Sequence, residues 1–467
     1  MVSAAQIWAY DGGVLAYRIL RWLLRLAMRV FFRQIEVTGL EHVPGKGPII
    51  FAGNHPNSLI DPILIITTCG RVVHFAAKDT LFSTRIMRAL LRGLGAVPLA
   101  RRADHGGGQV DNDAAFSAMF ETLNQGRTIG IFPEGLSHDT SQLARFKTGA
   151  ARLALGAAAR GAPVVVVPCG LTFISPKRFR SRALVQYGPP ITIGPERVAA
   201  AASDPVAAAR SLTDDLERAL RGLTINAADW ETVRVLDAVR RLYTPRDVDL
   251  DERVELARRF NSHYPELRDD PRVRGVIDRT RAYQARLDEL GLSDRELARG
   301  VSTGAAARRI ARYLALVLVW LPLMLPGAPL HLPAVALARF AGKKLTPRKD
   351  VIATTKVLAG MAIVLTSYAL ATAIIGWRLG WVWALAAGLV LPLSGYATLR
   401  VLDGIQLLRR GLGALRRALH LSREAAALRD ERDALSAEIV RVVGEIRPAG
   451  LELMFPPEAR APSGAPA

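Results

Sequence analysis

The stretch PIIFAGNHPNSLIDP, residues 48–62, sets the reading of the chain. Its first half, Pro48 to Gly53, is a short apolar run of the kind that forms a strand buried on both faces. Gly53 to Ser58 then crowds glycine, asparagine, proline and serine into six positions, which ends the strand and starts a turn. His55 and Asp61 are six residues apart, about 240° around a helix axis, so on one helix they would sit on different faces. They meet only if the chain turns at Pro56-Asn57-Ser58 before a helix begins, with Asn57 or Ser58 as its N-cap.

Outward from this segment the pattern stays α/β, from Ile35 to about Val198. β-rich runs at 48–53, 71–77, 128–133, 162–170 and 183–194 alternate with helical stretches at 84–94, 112–125 and 147–160. The four-valine run Val164 to Val167 suits a strand covered on both sides. Strands separated by helices of this length predict a mixed sheet covered by helices, an α/β domain over residues 35–200.

The flanks carry the charge and the membrane signal. The net charge is +20 and half of the residues are apolar, which points to a polyanionic partner or an anionic membrane surface. Residues 1–34 predict an amphipathic helix in which Arg18, Arg21, Arg25, Arg29 and Arg33, three or four apart, gather on one broad side toward anionic lipid. Residues 201–308 predict a charged helical region.

Residues 309–400 predict a membrane-embedded region. Pro322, Pro326, Pro329 and Pro333 interrupt Tyr313 to Gly342, and neither half has the roughly 20 residues needed to cross. That segment therefore reads as a re-entrant hairpin, 313–342, followed by a crossing at about 357–375 and a return at about 381–399. Arg308, Arg309 and Arg312 before the hairpin, Lys343, Lys344, Arg348 and Lys349 after it, and Arg400, Arg409 and Arg410 after the return imply an even number of crossings and a cytoplasmic α/β domain in the cell membrane. C-terminal helices over 401–455 and a disordered tail over 456–467 complete the chain.

Chemistry is concentrated in the loops of the α/β domain. If His55 and Asp61 touch, the carboxylate fixes one imidazole tautomer and the other nitrogen faces outward as a general base; a satisfied structural histidine is the alternative. No serine or cysteine sits in a nucleophile-elbow setting, so direct deprotonation of a substrate hydroxyl is the economical reading. Arg101, at the end of a short extended run after Gly95, offers a planar fork for a phosphate. Lys147 adds a cation ahead of the next helix. Glu134 can accept from a substrate hydroxyl, and Gly135 permits close backbone approach. Taken singly, each of these cations also reads as solvated surface and Glu134 as a turn cap. His138 and Asp139 form a second histidine–acid pair in a turn.

Several classes are excluded at this stage. Cys69 and Cys169 are too few for a disulfide framework or a cysteine metal cluster, and His55, Asp61 and His138 lack the array a zinc site needs. No phosphate loop or dinucleotide fingerprint occurs, so no cofactor is expected. Aromatic residues are only 6% and do not interleave with a basic patch, which argues against nucleic acid as a partner.

NHPNSLIDP at 54–62, GAVPLAR at 95–101, FPEGLSHD at 132–139 and VVVVPCG at 164–170 resemble, in order and spacing, the four blocks of the glycerophospholipid acyltransferases. The resemblance covers about residues 35–200. It implies His55 as the base with Asp61 as its orienting partner, Gly95 and Arg101 toward the acceptor's phosphate, Glu134 and Gly135 in acceptor binding, and Pro168 near the acyl-donor path. It further implies a phosphorylated glycerol acceptor and an acyl-CoA or acyl carrier protein thioester as co-substrate. Five residues rather than the usual four separate His55 from Asp61, and Leu136-Ser137-His138 replaces the common Thr-Arg-Ser. With the long C-terminal membrane region, this resembles the subgroup acylating glycerol 3-phosphate or dihydroxyacetone phosphate. Acylation of 1-acylglycerol-3-phosphate or another lysophospholipid is the alternative within enzymes, and a non-catalytic lipid-binding or membrane-shaping protein the alternative outside them.

Overall fold

Ile49–Gly53 forms strand β2, and all five of its residues are buried because parallel neighbours flank it on both sides. The computed structural model describes residues 13–100, 111–226, 229–244, 250–290, 292, 294, 297, 303–346, 348–420, 422–446 and 454. They divide into two compact units, Met1–Asn226 with Thr346–Val357, and Ala227–Leu345 with Leu358–Ala467.

The first unit is the expected mixed α/β sheet. Its strands are β1 (Phe32–Thr38), β2, β3 (Val73–Lys78), β4 (Val97–Leu99), β5 (Thr128–Ile131), β6 (Val165–Phe173), β7 (Ser181–Tyr187) and β8 (Ile191–Thr192). The order is β1-β7-β6-β2-β5-β3-β4, with β8 also on β6; β6 runs antiparallel to β7 and β8, and the other pairings are parallel. The expected strand at 183–194 is split at Gly188-Pro189-Pro190, because two prolines have no N–H for a ladder. Strand β1 went unread in the sequence, hidden by the arginines around it.

Helix α1 (Gly13–Phe31) packs Tyr17, Leu24, Met28 and Phe31 inward. The sequence reading put its arginines together on the lipid side; the structure separates them. Arg25 turns inward and donates twice to Thr67 O, at 3.1 and 2.6 Å, capping the carbonyl end of α2 (Ile60–Thr68). The exposed face instead joins Leu15, Ile19, Trp22 and Leu26 to Arg18 and Arg29. Helix α3 (Arg85–Gly93) packs with α1, where Gly93 lies beside Leu20; on the sheet's other side, helices α4 (Asp113–Asn124), α5 (Gly149–Ala158), α6 (Pro195–Ser203) and α7 (Pro205–Arg221) follow the strands. Leu212, Leu216 and Leu220 of α7 join Ile129, Leu153 and Val166 in one apolar core, so α7 belongs with the sheet and not with the later helices.

The second unit is helical. Helices α8 (Trp230–Tyr243), α9 (Leu250–Leu267) and α10 (Pro271–Glu289) share a core with the C-terminal helix α15 (Ser422–Ile446) through Leu236, Val239, Ile277, Leu435 and Ile439. Between them lie α11 (Thr303–Met324), α12 (Ala328–Lys344), α13 (Ile352–Leu379) and α14 (Trp381–His420). Three helical runs, Ala307–Lys344, Lys349–Leu379 and Trp381–Gly413, have the length and apolarity to cross a membrane. On that basis the chain is an integral membrane protein, with exposed Trp377, Trp381 and Trp383 around the turn between the last two runs.

The reversal expected within 313–342 is formed: Ile310, Val317 and Met324 lie in turn beside Gly411, Gly404 and Ser394 of α14, whereas His331 and Ala338 lie beside Tyr368 and Gly360 of α13, heading back toward the start of that helix. Met324, Gly327 and Ala328 keep right-handed helical backbone at the three-residue 3₁₀ turn Leu325–Gly327, where α11 gives way to α12. Ser394 of α14 repairs the break: it accepts from Gly327 N at 2.9 Å and donates to Met324 O at 2.8 Å. His331 bridges Thr398 (3.1 Å) and Tyr368 (2.7 Å), tying α12 to α13 and α14. Backbone and side-chain polar groups are thus satisfied within the protein, as a hydrocarbon surrounding requires. The single helix α14 runs well past the expected end of the return at 399.

Candidate active site

His55 follows directly on β2, where the ends of the parallel strands open into loops. The turn at Pro56-Asn57-Ser58 forms and α2 begins at Ile60, so the imidazole comes back onto the first turn of the helix. His55 Nδ1 lies 2.9 Å from Asp61 Oδ2, and the same oxygen accepts the Asn57 amide at 2.7 Å. Neither Asn57 nor Ser58 caps α2 with its side chain; Leu59 holds the N-cap position, and the carboxylate of Asp61 reaches back to the loop. Ser58 adopts φ 48°, a left-handed conformation unusual for serine.

Asp61 is fully buried. Burial pushes its carboxyl up to about 6, against the lowering pull of the His55 and Asn57 hydrogen bonds. The His55 ring stacks face to face on Phe132, with centroids 4.0 Å apart and planes 4° from parallel, and Phe132 in turn stacks on Phe75. Gly53 makes this stack possible, since a Cβ there would lie 3.2 Å from the Phe132 ring. With Nδ1 held by Asp61, the imidazole keeps Nε2 as its second functional atom. Nε2 makes no hydrogen bond to another described residue.

The FPEGLSHD loop, after β5, brackets the His55 loop at three points. Glu134 Oε1 accepts His55 N at 2.8 Å, Ser137 Oγ accepts Ser58 N at 2.9 Å, and His138 N donates to His55 O at 3.2 Å. Glu134 is buried, and its second oxygen takes Ala144 N at 2.7 Å and the His138 imidazole. Both oxygens are therefore engaged inside the protein, so Glu134 holds the His55 loop where the sequence reading had it binding a substrate hydroxyl. His138 rests on Glu134, whose hydrogen bond raises the imidazole pKa above its ordinary value against the lowering effect of burial. His55 with Asp61 and His138 with Glu134 are two separate pairs.

The remaining sequence candidates divide. Gly95 has φ 66° and closes α3: its N–H bonds Arg92 O at 2.8 Å while Ala96 N bonds Leu91 O. This left-handed cap explains the glycine without a ligand. Gly135 has φ 68°, and a Cβ there would lie 2.7 Å from Lys147 Nζ, so the exposed Lys147 ammonium crosses directly over this glycine beside the His55 loop. Pro168 is buried in β6 opposite Ala52, at the place where the antiparallel neighbour changes from β8 to β7. The missing N–H is tolerated there. Arg101 lies outside the described residues. Phe132, Ser58 and Ser137 were missed as site residues; the only local signal was their membership in the same two blocks.

A family model described as Acyltransferase matches residues 34–172, and one described as Glycerol-3-phosphate acyltransferase 2 C-terminal domain matches residues 235–451. The chain is similar to Glycerol-3-phosphate O-acyltransferase 1 of Saccharomyces cerevisiae, 28% identical over 449 residues, 74% of this chain and 59% of the relative. It is 35% identical over 244 residues to Glycerol-3-phosphate O-acyltransferase 2 of the same yeast, 50% of this chain and 33% of the relative. With 1-acyl-sn-glycerol-3-phosphate acyltransferase of Borreliella burgdorferi it shares 28% identity over 167 residues, 36% of this chain and 64% of that one. The chain belongs to the glycerophospholipid acyltransferase family. It spans 59% and 33% of the lengths of the two yeast relatives.

Proposed function

We propose that the chain transfers a fatty acyl group from a thioester donor to a hydroxyl of a phosphorylated glycerol acceptor. The observation that carries this reading is the 2.9 Å contact between His55 Nδ1 and the buried Asp61, which leaves Nε2 as the base. Nε2 takes the proton from the acceptor hydroxyl as its oxygen attacks the thioester carbonyl. Collapse of the tetrahedral intermediate breaks the carbon–sulfur bond, and the imidazolium returns the proton to the departing thiolate. No covalent acyl-enzyme is needed.

Lys147, over Gly135 and exposed, is placed to meet the acceptor's phosphate, and Arg101 is the second cation proposed for it. The donor is acyl-CoA or an acyl carrier protein thioester. The α/β unit is proposed to face the cytoplasm, supported by Arg308, Arg309 and Arg312 at the start of the first run of spanning length. A membrane-bound site suits an amphiphilic product that partitions into lipid, and the exposed apolar and basic face of α1 suits anionic headgroups.

Two acceptors fit. Glycerol 3-phosphate is supported by the match of the C-terminal model and by the names of the two yeast relatives. 1-Acylglycerol-3-phosphate draws on a wider set of relatives so named across the α/β domain. Acceptor competition at fixed palmitoyl-CoA, with the full chain in lipid vesicles, decides between them: the acceptor with the higher kcat/KM is the substrate. Transfer to neither acceptor would return the chain to the class of non-catalytic lipid-binding proteins, and full transfer by His55→Ala would remove His55 as the base.

A further inference from the structure

Twelve residues leave the second unit to join the first. Thr346–Val357 follows one run of membrane-spanning length and includes the start of the next, yet it packs with the α/β unit, and its Ala353, Thr354 and Val357 are buried. Two charged residues sit at its head. Asp350 is 6% exposed and receives Arg348 on both oxygens, Nε to Oδ1 at 3.2 Å and Nη2 to Oδ2 at 2.7 Å. The same Nη2 donates to Ser137 O at 3.0 Å, across 211 residues of sequence. Eight residues after Arg348, Lys356 Nζ donates to Lys177 O at 2.6 Å, and Lys177 pairs with Asp139 of the same loop at 2.5 Å.

Ser137 is the residue whose hydroxyl receives Ser58 N, and Ser58 is the residue held at φ 48° between His55 and Asp61. A non-glycine residue in that conformation persists only when its surroundings hold it. We propose that Arg348 and Asp350 are positioning residues: from a segment outside the four sequence blocks, they fix Ser137 and thereby the Ser58 turn that sets His55 on Asp61. Asp350 is the buried anchor, and the fork of Arg348 is the reach. Neither residue touches the imidazole. Their effect passes through two backbone contacts, Arg348 to Ser137 O and Ser137 Oγ to Ser58 N.

This inference rests on the proposed acyl transfer for its kinetic readout, so the test carries a second readout that needs no activity. In the full chain in vesicles, Arg348→Ala is expected to lower kcat by about tenfold to a hundredfold, the scale of a misplaced catalytic group, with acceptor and donor KM within about twofold. Arg348→Lys, with one donor centre in place of a fork, recovers part of the loss. Ser58→Gly, which accepts the left-handed conformation freely, restores much of it in the Arg348→Ala background. Hydrogen exchange of the amides in 55–61 speeds up in Arg348→Ala, and Asp350→Asn does the same.

A rise in acceptor KM at unchanged kcat would make Arg348 a phosphate ligand and overturn the proposal. Unchanged exchange in 55–61 would overturn it whatever the activity. Faster exchange in a chain whose wild type transfers no acyl group would sustain the positioning role and sink the acyl-transfer reading alone.

Discussion

Glu134 Oε1 accepts the backbone N–H of His55 at 2.8 Å, across 79 residues of sequence and between two loops of the sheet's upper edge. A buried carboxylate with three protein donors is a brace. Glu134→Ala leaves the His55 N–H, the Ala144 N–H and the His138 ring without it, and each unmet buried donor costs about 1–3 kcal/mol. The expected result is a loss of about 2–5 kcal/mol in unfolding free energy by denaturant titration of the α/β unit's signal, together with a kcat loss. Wild-type stability with a raised acceptor KM would instead return Glu134 to the role of a substrate ligand.

His55→Ala removes the base. General acid–base catalysis contributes roughly a hundredfold to ten-thousandfold, so transfer of labelled palmitate from its CoA thioester should fall by at least about a hundredfold. Asp61→Asn keeps the volume and an amide oxygen that can accept from Nδ1–H but not the negative charge that stabilises the imidazolium, and it should lose less than His55→Ala. Equal losses would mean that Asp61 does more than orient the ring.

The pH dependence follows from Asp61. Burial raises its pKa to about 6, above the value of about 3.9 of an unfolded aspartate. Between those values the folded state binds more protons, so the contribution of this residue to stability is largest below about pH 4 and is lost as pH rises through about 6. Activity runs the other way, because the ionised carboxylate holds the imidazole; kcat should fall as pH drops through about 6. Thermal melts from pH 4 to 7 should show a flatter dependence for Asp61→Asn than for wild type, and a parallel pair of curves would refute the assignment.

Within the membrane-length helices, Ser394 joins the broken ends of α11 and α12 by accepting Gly327 N and donating to Met324 O. Ser394→Ala should cost about 1–2 kcal/mol, the range for a hydrogen bond between helices in lipid, read as a lower melting temperature in detergent micelles. Ser394→Thr, which keeps the hydroxyl, should recover most of it. A melting temperature unaffected by Ser394→Ala would show that the break is stable without this bond.

Much of this molecule is written locally. The buried run of β2, the turn residues that follow it, and the spacing of His55 and Asp61 identify a strand, a loop and a helix, because hydrophobic periodicity and turn chemistry act over neighbouring residues. The same local signals located five of the strands and the long apolar helices. Residue type alone misled where a side chain's partner is distant. Arg25 caps a carbonyl of α2, 42 residues on, and Glu134 braces the His55 loop, 79 residues back.

The prolines of 313–342 predicted the reversal that the chain makes at Leu325–Gly327, but no local signal pointed to Ser394, 67 residues beyond Gly327, which bonds to both sides of it. Arg348 and Asp350 lie more than 200 residues from Ser137, and no spacing rule spans that gap. Sequence by itself determined which segments fold and which residue types carry the chemistry. Only the tertiary structure decided which polar groups are consumed internally, since a buried donor or acceptor must find its partner wherever the fold brings one.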